Sequence, residues 1–235
     1  MKLIIPMAGM GKRMRPHTLT TPKPLIPIAG KTIVQRLVEE IVASCTERVD
    51  EIAFIVGNFG RETEENLKKV ASDAGAAGSI LYQEKALGIA HAVLCAKEVL
   101  QGKVMVAFAD SVDGTIWVKK VEDPSRFGVV KLNEEKIITD FVEKPGQFIS
   151  DLAIIGIYYF REGNLLRVAL QNLIDNNIKE KGEYQFTSAL QIMKQNGLKF
   201  NAATVKEWFY CGNKNSTIYT NRKILEYDKG KNLKK

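Results

Sequence analysis

The hydrophobic pattern of the first 110 residues alternates between short apolar runs and longer amphipathic stretches. The apolar runs, which are rich in β-branched side chains, predict strands at Lys2–Met7, Ile52–Val56, Ser79–Gln83 and Val104–Ala109. Between them, the patterns predict helices at Thr32–Ala43, Arg61–Ala74 and Gly88–Leu100. Such alternation of strands and helices is typical of a parallel, doubly wound sheet.

The second half of the chain contains consecutive strands instead. The strands at Thr115–Lys120, Gly128–Leu132, Ile137–Val142 and Ala153–Phe160 have no helices between them, which predicts an antiparallel or mixed extension of the sheet. Helices return at Glu162–Ile174, Thr187–Gln195 and Asn213–Tyr227, with the strand Lys199–Val205 between the last two. Since no repeat or linker interrupts this order, we expect one domain over residues 1–228 and a basic C-terminal tail over 229–235. Its fold class is α/β, with a Rossmann-like, doubly wound sheet that is mixed but mainly parallel.

A glycine- and proline-rich stretch, Ala8–Gly30, separates the first strand from the first helix. Loops of this length inside compact domains are usually functional. Its glycines allow backbone N–H groups to approach phosphate oxygens, and Arg13 and Lys23 add positive charge. Asp110 follows the fourth predicted strand, and ligands of open α/β sheets bind at the carboxyl ends of the strands. The sequence therefore predicts a phosphate site beside a carboxylate.

Two better-known nucleotide-binding patterns fail in this chain. Met14 replaces the third glycine of the dinucleotide pattern that Gly9 begins, and Leu25 replaces the first glycine of a P-loop ending at Thr32. Several alternatives also stay open for residues taken singly. The glycines alone fit a surface turn with solvated cations, Asp110 fits a helix cap, and Glu143-Lys144-Pro145 fits a turn at a strand end. His91 lies on an apolar helix face, and we expect it to be packed rather than catalytic.

The formal net charge of +7 suggests nucleic-acid binding at first sight. However, four of the seven charges come from lysines of the tail, namely Lys229, Lys231, Lys234 and Lys235. We therefore expect small anionic substrates and no nucleic acid. No apolar run approaches the roughly 18 residues of a membrane span, so no membrane partner is expected. Three separated cysteines and no signal-peptide pattern favour free thiols and a cytoplasmic location.

The glycine-rich stretch resembles the signature of the sugar nucleotidyltransferases, which include glucose-1-phosphate thymidylyltransferases and UTP–glucose-1-phosphate uridylyltransferases. The pattern G-x-G-x-R-x-x-P-x-T, followed by P-K-P-L-x-P-x-x-G-K, covers residues 9–31. The likeness continues at Gln83, Ala86–Ala92, Val106–Asp110, Phe127–Val130, Glu143–Pro145, Ala153–Tyr158, Glu183–Thr187 and Trp208–Gly212. It implies the nucleotide-diphospho-sugar transferase fold, an NTP and a sugar 1-phosphate as partners, Mg²⁺ as cofactor, and assembly into a homo-oligomer.

The resemblance also implies a role for each matching residue. The nucleotide would be bound by Ala8, Gly9, Gly11, Gln83 and Gly88, with Gln83 at the edge of a pyrimidine base. Arg13 would hold the leaving phosphates, Lys23 would neutralise charge at the α-phosphorus, and Asp110 would bind Mg²⁺. The sugar phosphate would be bound by Gly128, Glu143, Lys144 and Ile154, with the sugar hydroxyls on Glu143 and the phosphate on Lys144.

Three departures from the family pattern bear on activity. Members usually carry an Asp, the second metal ligand, where this chain has Tyr210, and a phenol is a poor ligand for Mg²⁺. The loop after Asp110 is shorter than in relatives, and no hexapeptide repeats follow, so we expect no β-helix domain. Tyr210 leaves two alternatives. In the first, Asp110, the triphosphate and water hold the ion in an active enzyme; in the second, the chain is a catalytically weak regulatory subunit that binds nucleotide sugars.

The resemblance favours transfer from dTTP or UTP to glucose 1-phosphate. A guanylyltransferase acting on mannose or heptose 1-phosphate is the enzymatic alternative. In either reaction the attacking phosphate oxygen is already an anion at neutral pH, so no general base is required. The absence of a Ser/His/Asp or Cys/His pattern in the sequence agrees with this expectation.

Overall fold

A computed structural model describes residues 1–9, 11, 14–19, 21–107, 116–205 and 207–232. Within these ranges the strands are β1 (Lys2–Pro6), β2 (Pro27–Ile28), β3 (Lys31–Thr32), β4 (Glu51–Val56), β5 (Ala77–Tyr82), β6 (Val104–Ala107), β7 (Ile116–Lys120), β8 (Gly128–Leu132), β9 (Ile138–Glu143), β10 (Leu152–Ile154), β11 (Ile157–Phe160) and β12 (Ala202–Thr204). The helices are α1 (Ile33–Ser44), α2 (Arg61–Asp73), α3 (Ile89–Leu94), α4 (Gly163–Asp175), α5 (Phe186–Gln195) and α6 (Lys214–Asn232).

The first sheet has the strand order β11-β6-β1-β4-β5. Four of these strands are parallel, and β11 runs antiparallel to β6 at one edge. Successive side chains of β1 point to opposite faces, so Leu3 and Ile5 belong to one core cluster and Ile4 to the other. Helices α1 and α2 cover the first face, and α3, α4 and α5 cover the second. The predicted α/β class with a doubly wound, mainly parallel sheet is confirmed.

The later strands form a second sheet, of order β12-β7-β10-β8-β9, rather than extending the first. Its pairs are antiparallel except for β12 and β7. The apolar run predicted as one strand, Ala153–Phe160, is divided between the two sheets: β10 pairs in the second and β11 in the first. The chain turns at Gly156, whose φ of 88° is open to glycine but strained for other residues. A hydrophobic pattern alone carries no sign of that turn.

Local interactions set the ends of the helices. The Thr32 hydroxyl accepts a hydrogen bond from the Gln35 backbone N–H at 3.2 Å and caps α1. The predicted helix Gly88–Leu100 is α-helical only as far as Leu94 and continues as turns. Helix α6 continues to Asn232, into the residues predicted as a tail. No helix in the described part of the chain has the length and apolarity needed to cross a membrane.

Candidate functional site

The segments that follow β1, β4 and β5 adjoin one another at the carboxyl edge of the first sheet. The Met7 backbone N–H donates to the Ile55 carbonyl at 2.8 Å, and the Gln83 N–H donates to the Val56 carbonyl at 2.9 Å. A Cβ added to Gly57 would lie 3.3 Å from the Ala8 carbonyl oxygen. Ala8 and Gln83, both predicted to bind nucleotide, therefore share the edge at which open α/β sheets bind ligands.

Lys23 lies directly against the glycine turn. Gly11 has a φ of +57°, and a Cβ there would meet Thr18 Cγ2 at 2.9 Å and Lys23 Cβ at 3.0 Å. The Thr18 hydroxyl donates to the Gly11 carbonyl at 2.7 Å and ties the loop to the turn. The structure thus places Gly11, one of the two glycines predicted to bind nucleotide, next to Lys23. The other two charged residues of the prediction, Arg13 and Asp110, lie outside the described residues.

Gly88 allows the start of α3 to dock on the backbone that precedes α5. A Cβ on Gly88, whose φ is +109°, would lie 2.6 Å from the Tyr184 carbonyl oxygen and 2.8 Å from the Tyr184 nitrogen. The Tyr184 N–H donates to the Leu87 carbonyl, and the Ala90 N–H donates to the Tyr184 carbonyl. No other amino acid fits this position without displacing one of the two chains.

Gln83 is held by two partners at the base-reading position implied by the family resemblance. Its Nε2 donates to the Gly88 carbonyl at 3.0 Å and lies 3.0 Å from His91 Nδ1. Burial lowers the pKa of His91, which keeps the imidazole neutral at neutral pH. His91 is half-buried, as a packed residue on an apolar face would be, but its ring also contacts Gln83. Sequence reasoning missed this contact.

Glu143 is the centre of the residues predicted to bind the sugar phosphate. It pairs with Gly128 across β8 and β9. A Cβ on Gly128 would lie 3.0 Å from Glu143 Oε2, 3.0 Å from Thr187 Cγ2 and 3.4 Å from Ile154 Cδ1. The structure therefore brings Gly128, Glu143 and Ile154 together, and adds Thr187, which the sequence analysis did not assign to the site.

Both oxygens of the Glu143 carboxylate are engaged. Oε2 accepts a hydrogen bond from the Thr187 hydroxyl at 3.2 Å, and Oε1 lies 2.9 Å from Lys144 Nζ. The Glu143 side chain is 12% exposed. Lys144 is anchored through its backbone N–H, which donates to the Phe127 carbonyl at 3.0 Å. The result is a fixed acceptor for hydroxyl groups next to a cation.

The segment from Tyr184 to Thr187 connects the two clusters. Its first residue contacts Gly88 through the backbone, and its last residue donates to Glu143. The residue that contacts the predicted nucleotide site and the residue that contacts the predicted sugar-phosphate site are therefore only three positions apart in the chain. Two substrates bound at these clusters would be neighbours.

Three aromatic rings lie at the edge of the sugar-phosphate cluster. Phe127, next to Gly128, lies 5.2 Å from Trp208 and 5.6 Å from Tyr210 between ring centroids, and the last two rings are 5.0 Å apart. The ring of Tyr210 also covers Gly212, where an added Cβ would overlap it. Tyr210 is thus part of an aromatic cluster.

The described residues do not supply the ligand set that Mg²⁺ prefers. No three side chains of His, Cys, Asp or Glu converge within them, and the phenol of Tyr210 is a poor substitute for a carboxylate. The predicted ligand, Asp110, is not among the residues described. Magnesium binding stays a prediction of the sequence.

The fold is similar to that of solved nucleotide-sugar enzymes. UDP-glucose pyrophosphorylase complexed with UDP-glucose superposes with a TM-score of 0.76 at 23% identity, covering 96% of this chain and 98% of that chain. The apo form of UDP-glucose pyrophosphorylase gives a TM-score of 0.78 at 24% identity over 97% and 98% of the two chains. At these identities the comparison supports the mixed α/β architecture.

Proteins of similar sequence identify the family of this chain. Low-salt glycan biosynthesis nucleotidyltransferase Agl11 of Haloferax volcanii is 30% identical over 100% of this chain and 68% of its own length. Bifunctional protein GlmU of Methanococcus maripaludis is 33% identical over 96% of this chain. Mannose-1-phosphate guanylyltransferase catalytic subunit beta of Drosophila melanogaster is 32% identical over 72% of it. The chain spans 54% of that GlmU and 51% of that guanylyltransferase subunit, about half of each. The nucleotidyl transferase family matches at residues 2–112 and 103–227, and this chain belongs to it.

Proposed function

We propose that the chain transfers a nucleoside monophosphate from UTP or dTTP to a sugar 1-phosphate, with glucose 1-phosphate as the favoured acceptor, and releases pyrophosphate. One observation carries the proposal: the segment Tyr184–Thr187 contacts Gly88 at one end and Glu143 at the other. A nucleotide and a sugar phosphate held by these clusters would meet. The UDP-glucose bound to a structural neighbour, and the mannose 1-phosphate and glycan in the names of relatives, support the substrate class.

The reaction needs positioning and positive charge rather than a covalent intermediate. An oxygen of the sugar 1-phosphate attacks the α-phosphorus of the NTP. A new P–O bond forms while the bond from the α-phosphorus to the β-phosphate oxygen breaks, and pyrophosphate leaves. Lys23, held against the glycine turn, neutralises charge on the α-phosphate, and Arg13 binds the leaving phosphates. Glu143 accepts hydrogen bonds from the sugar hydroxyls, and Lys144 binds the 1-phosphate.

Asp110 remains the proposed protein ligand of Mg²⁺, an ion that neutralises phosphate charge in transfers of this kind. Among the described residues no three His, Cys, Asp or Glu side chains converge that could form an ion site by themselves. We therefore expect the nucleotide and water to provide most of the ligands.

A substrate panel tests the proposal. Pyrophosphate release is measured with UTP, dTTP, GTP, ATP and CTP, each combined with glucose 1-phosphate or mannose 1-phosphate in the presence of Mg²⁺. We expect the fastest release with glucose 1-phosphate and UTP or dTTP. Fastest release with GTP and mannose 1-phosphate would establish the guanylyltransferase alternative. If no pair releases pyrophosphate, the proposed transfer is wrong.

Substitution of Lys23 tests the assigned role of that residue. Lys23→Ala removes a preorganised cation from the α-phosphate, and we expect kcat to fall about 10²–10³-fold, as for loss of an oxyanion donor. Lys69→Ala is the matched control, because Lys69 is exposed on α2 and pairs with Asp73. Near-normal turnover of Lys23→Ala would remove Lys23 from the mechanism.

Tyr210 favours one second candidate, a catalytically weak regulatory subunit that binds nucleotide sugars. The observation behind it is the aromatic cluster, in which the Tyr210 ring packs against Phe127 and Trp208. This candidate predicts nucleotide-sugar binding with little pyrophosphate release, and a sharp gain on Tyr210→Asp. Tyr210→Phe, which keeps the ring, should change nothing. Fast release by the unchanged protein, together with a loss on Tyr210→Asp, rules this candidate out.

A further inference from the structure

The side-chain amide of Gln83 uses both of its protons inside the protein. A backbone carbonyl can only accept, so the atom facing the Gly88 oxygen at 3.0 Å must be the amide nitrogen. The same nitrogen lies 3.0 Å from His91 Nδ1. Since a primary amide has two N–H groups, these two contacts exhaust its donors. Among the described residues none donates to the remaining atom, Oε1.

This arrangement requires one tautomer of His91. To accept from Gln83, Nδ1 must carry a lone pair, so the proton of the neutral ring lies on Nε2. The lowered pKa of His91 favours this neutral form. A protonated ring would direct an N–H group at the N–H groups of the amide.

We propose that His91 is a positioning residue that fixes the Gln83 amide, so that only its carbonyl oxygen is presented to the nucleobase. The inference rests on the proposed function insofar as that places the base at Gln83. Leu87 and Ile89, on either side of Gly88, are 36% and 41% exposed and give the site an apolar border. The carbonyl oxygen of Gln83 is then the part of its side-chain amide that a base there can contact.

A site that can only accept a hydrogen bond divides the nucleobases by chemistry. Uracil, thymine and guanine carry an N–H group in the ring at their pairing edge. Cytosine and adenine carry a bare ring nitrogen there, so a base held with that ring position against Oε1 would put two acceptors face to face; their amino groups could donate to Oε1 only if the base shifted along its pairing edge. Unpaired polar groups of this kind weaken binding about 10–100-fold. The site therefore selects bases with a ring N–H.

The experiment measures equilibrium binding of UTP and CTP, which differ at this edge but not in size. We expect the unchanged protein to bind UTP at least about 10-fold more tightly than CTP. His91→Phe keeps a ring of similar shape but has no acceptor, and we expect the UTP-to-CTP ratio to fall several-fold. His91→Asn returns an acceptor near the position of Nδ1 and should restore the ratio. Gln83→Leu, which has no amide, should abolish it.

The Asn variant distinguishes positioning from a purely structural role. If His91 only filled space, the smaller Asn side chain would not restore the UTP-to-CTP ratio that the Phe variant had lowered. If the site binds purines instead, the same variants are compared by the ratio of their affinities for GTP and ATP. The inference is overturned if the unchanged protein binds CTP as tightly as UTP and ATP as tightly as GTP. It is equally overturned if the Phe variant keeps the ratio, if Asn fails to restore it, or if no nucleotide binds. Discrimination in binding without pyrophosphate release would overturn the proposed transfer alone.

Discussion

At the scale of single residues, the hydrogen bond from Thr187 to Glu143 determines which way the carboxylate faces. Hydrogen bonds to charged groups contribute about 1.5–3 kcal/mol, and this one joins a buried residue to a side chain that is 12% exposed. Thr187→Val removes the donor and keeps the shape. We expect KM for the sugar phosphate to rise about 10-fold with KM for the NTP unchanged. Thr187→Ser, which keeps the hydroxyl, is the control, and equal rises in both KM values would contradict the assignment.

His91 also makes stability depend on pH. Burial lowers its pKa in the folded protein, so the unfolded chain takes up a proton at a higher pH than the folded one. The contribution of His91 is therefore complete above the ordinary pKa of histidine and is lost as the pH falls towards the lowered value. We expect the free energy of unfolding, measured with urea, to decrease between about pH 7.5 and 5.5, and to decrease less in His91→Asn.

The only other histidine, His17, gives a matched control for this measurement. It is exposed and makes no contact with Gln83 in the described structure, so His17→Asn is a substitution of the same type outside the Gln83 site. The same loss of stability in His91→Asn as in the unchanged protein would assign the effect to other groups.

Sequence reasoning found some of the site residues and missed others for a definite reason. The proximity of Gly11 and Lys23 follows from one continuous loop. Gly128 begins one predicted strand, and Glu143 directly follows another, Ile137–Val142. The role of Thr187 depends on a contact with a residue 44 positions away, and that of His91 on the direction in which one amide faces. Neither leaves a mark in the pattern of apolar positions.

At the scale of elements, Gly88 controls how α3 meets the segment before α5. Gly88→Ala adds a Cβ 2.6 Å from the Tyr184 carbonyl oxygen, at a φ of +109°. Backbone strain of this kind alone is worth about 1–3 kcal/mol, and the clash adds to it. We expect the urea midpoint of unfolding to fall accordingly.

Two other glycines separate strain from clash in that experiment. Gly102 has a φ of +65° with nothing within 4 Å of an added Cβ, so Gly102→Ala should lose only about 1–2 kcal/mol. Gly146 has neither restraint, and Gly146→Ala should be near neutral. If Gly88→Ala lost no more stability than Gly102→Ala, the clash with Tyr184 would make no measurable contribution to the free energy of unfolding.

Hydrophobic periodicity predicts some of the strands correctly and misses how others pair. Each strand predicted in the first half of the chain is present, because buried parallel strands are continuous apolar runs. The division of Ala153–Phe160 between two sheets was not predictable in this way, since both halves are equally apolar. The change of sheet depends on the backbone at Gly156 and on which neighbouring strands offer free hydrogen-bonding edges.

At the scale of the whole molecule, one core joins the two sheets. The cluster that contains Ile4 of the first sheet also contains Val118 and Val130 of the second, and helices α3 to α5 contribute to it. Neighbouring residues of β7 belong to different clusters, with Trp117 on the opposite face from Val118. Because the core is continuous, separating the two sheets would expose apolar side chains that both sheets share.

Cooperative unfolding follows from that continuity and can be tested with two probes. Tryptophan fluorescence reports on Trp117 in the second sheet and on Trp208, whereas far-ultraviolet circular dichroism follows mainly the helices against the first sheet. Ile4→Val removes one buried methyl group from the central strand and should reduce stability by about 0.5–1.5 kcal/mol. Because the core is shared, we expect the urea midpoints of both probes to coincide and to shift together. A shift of the dichroism midpoint while the fluorescence midpoint stays in place would mean that the two sheets unfold separately, and the site between them would then be joined only by its own contacts.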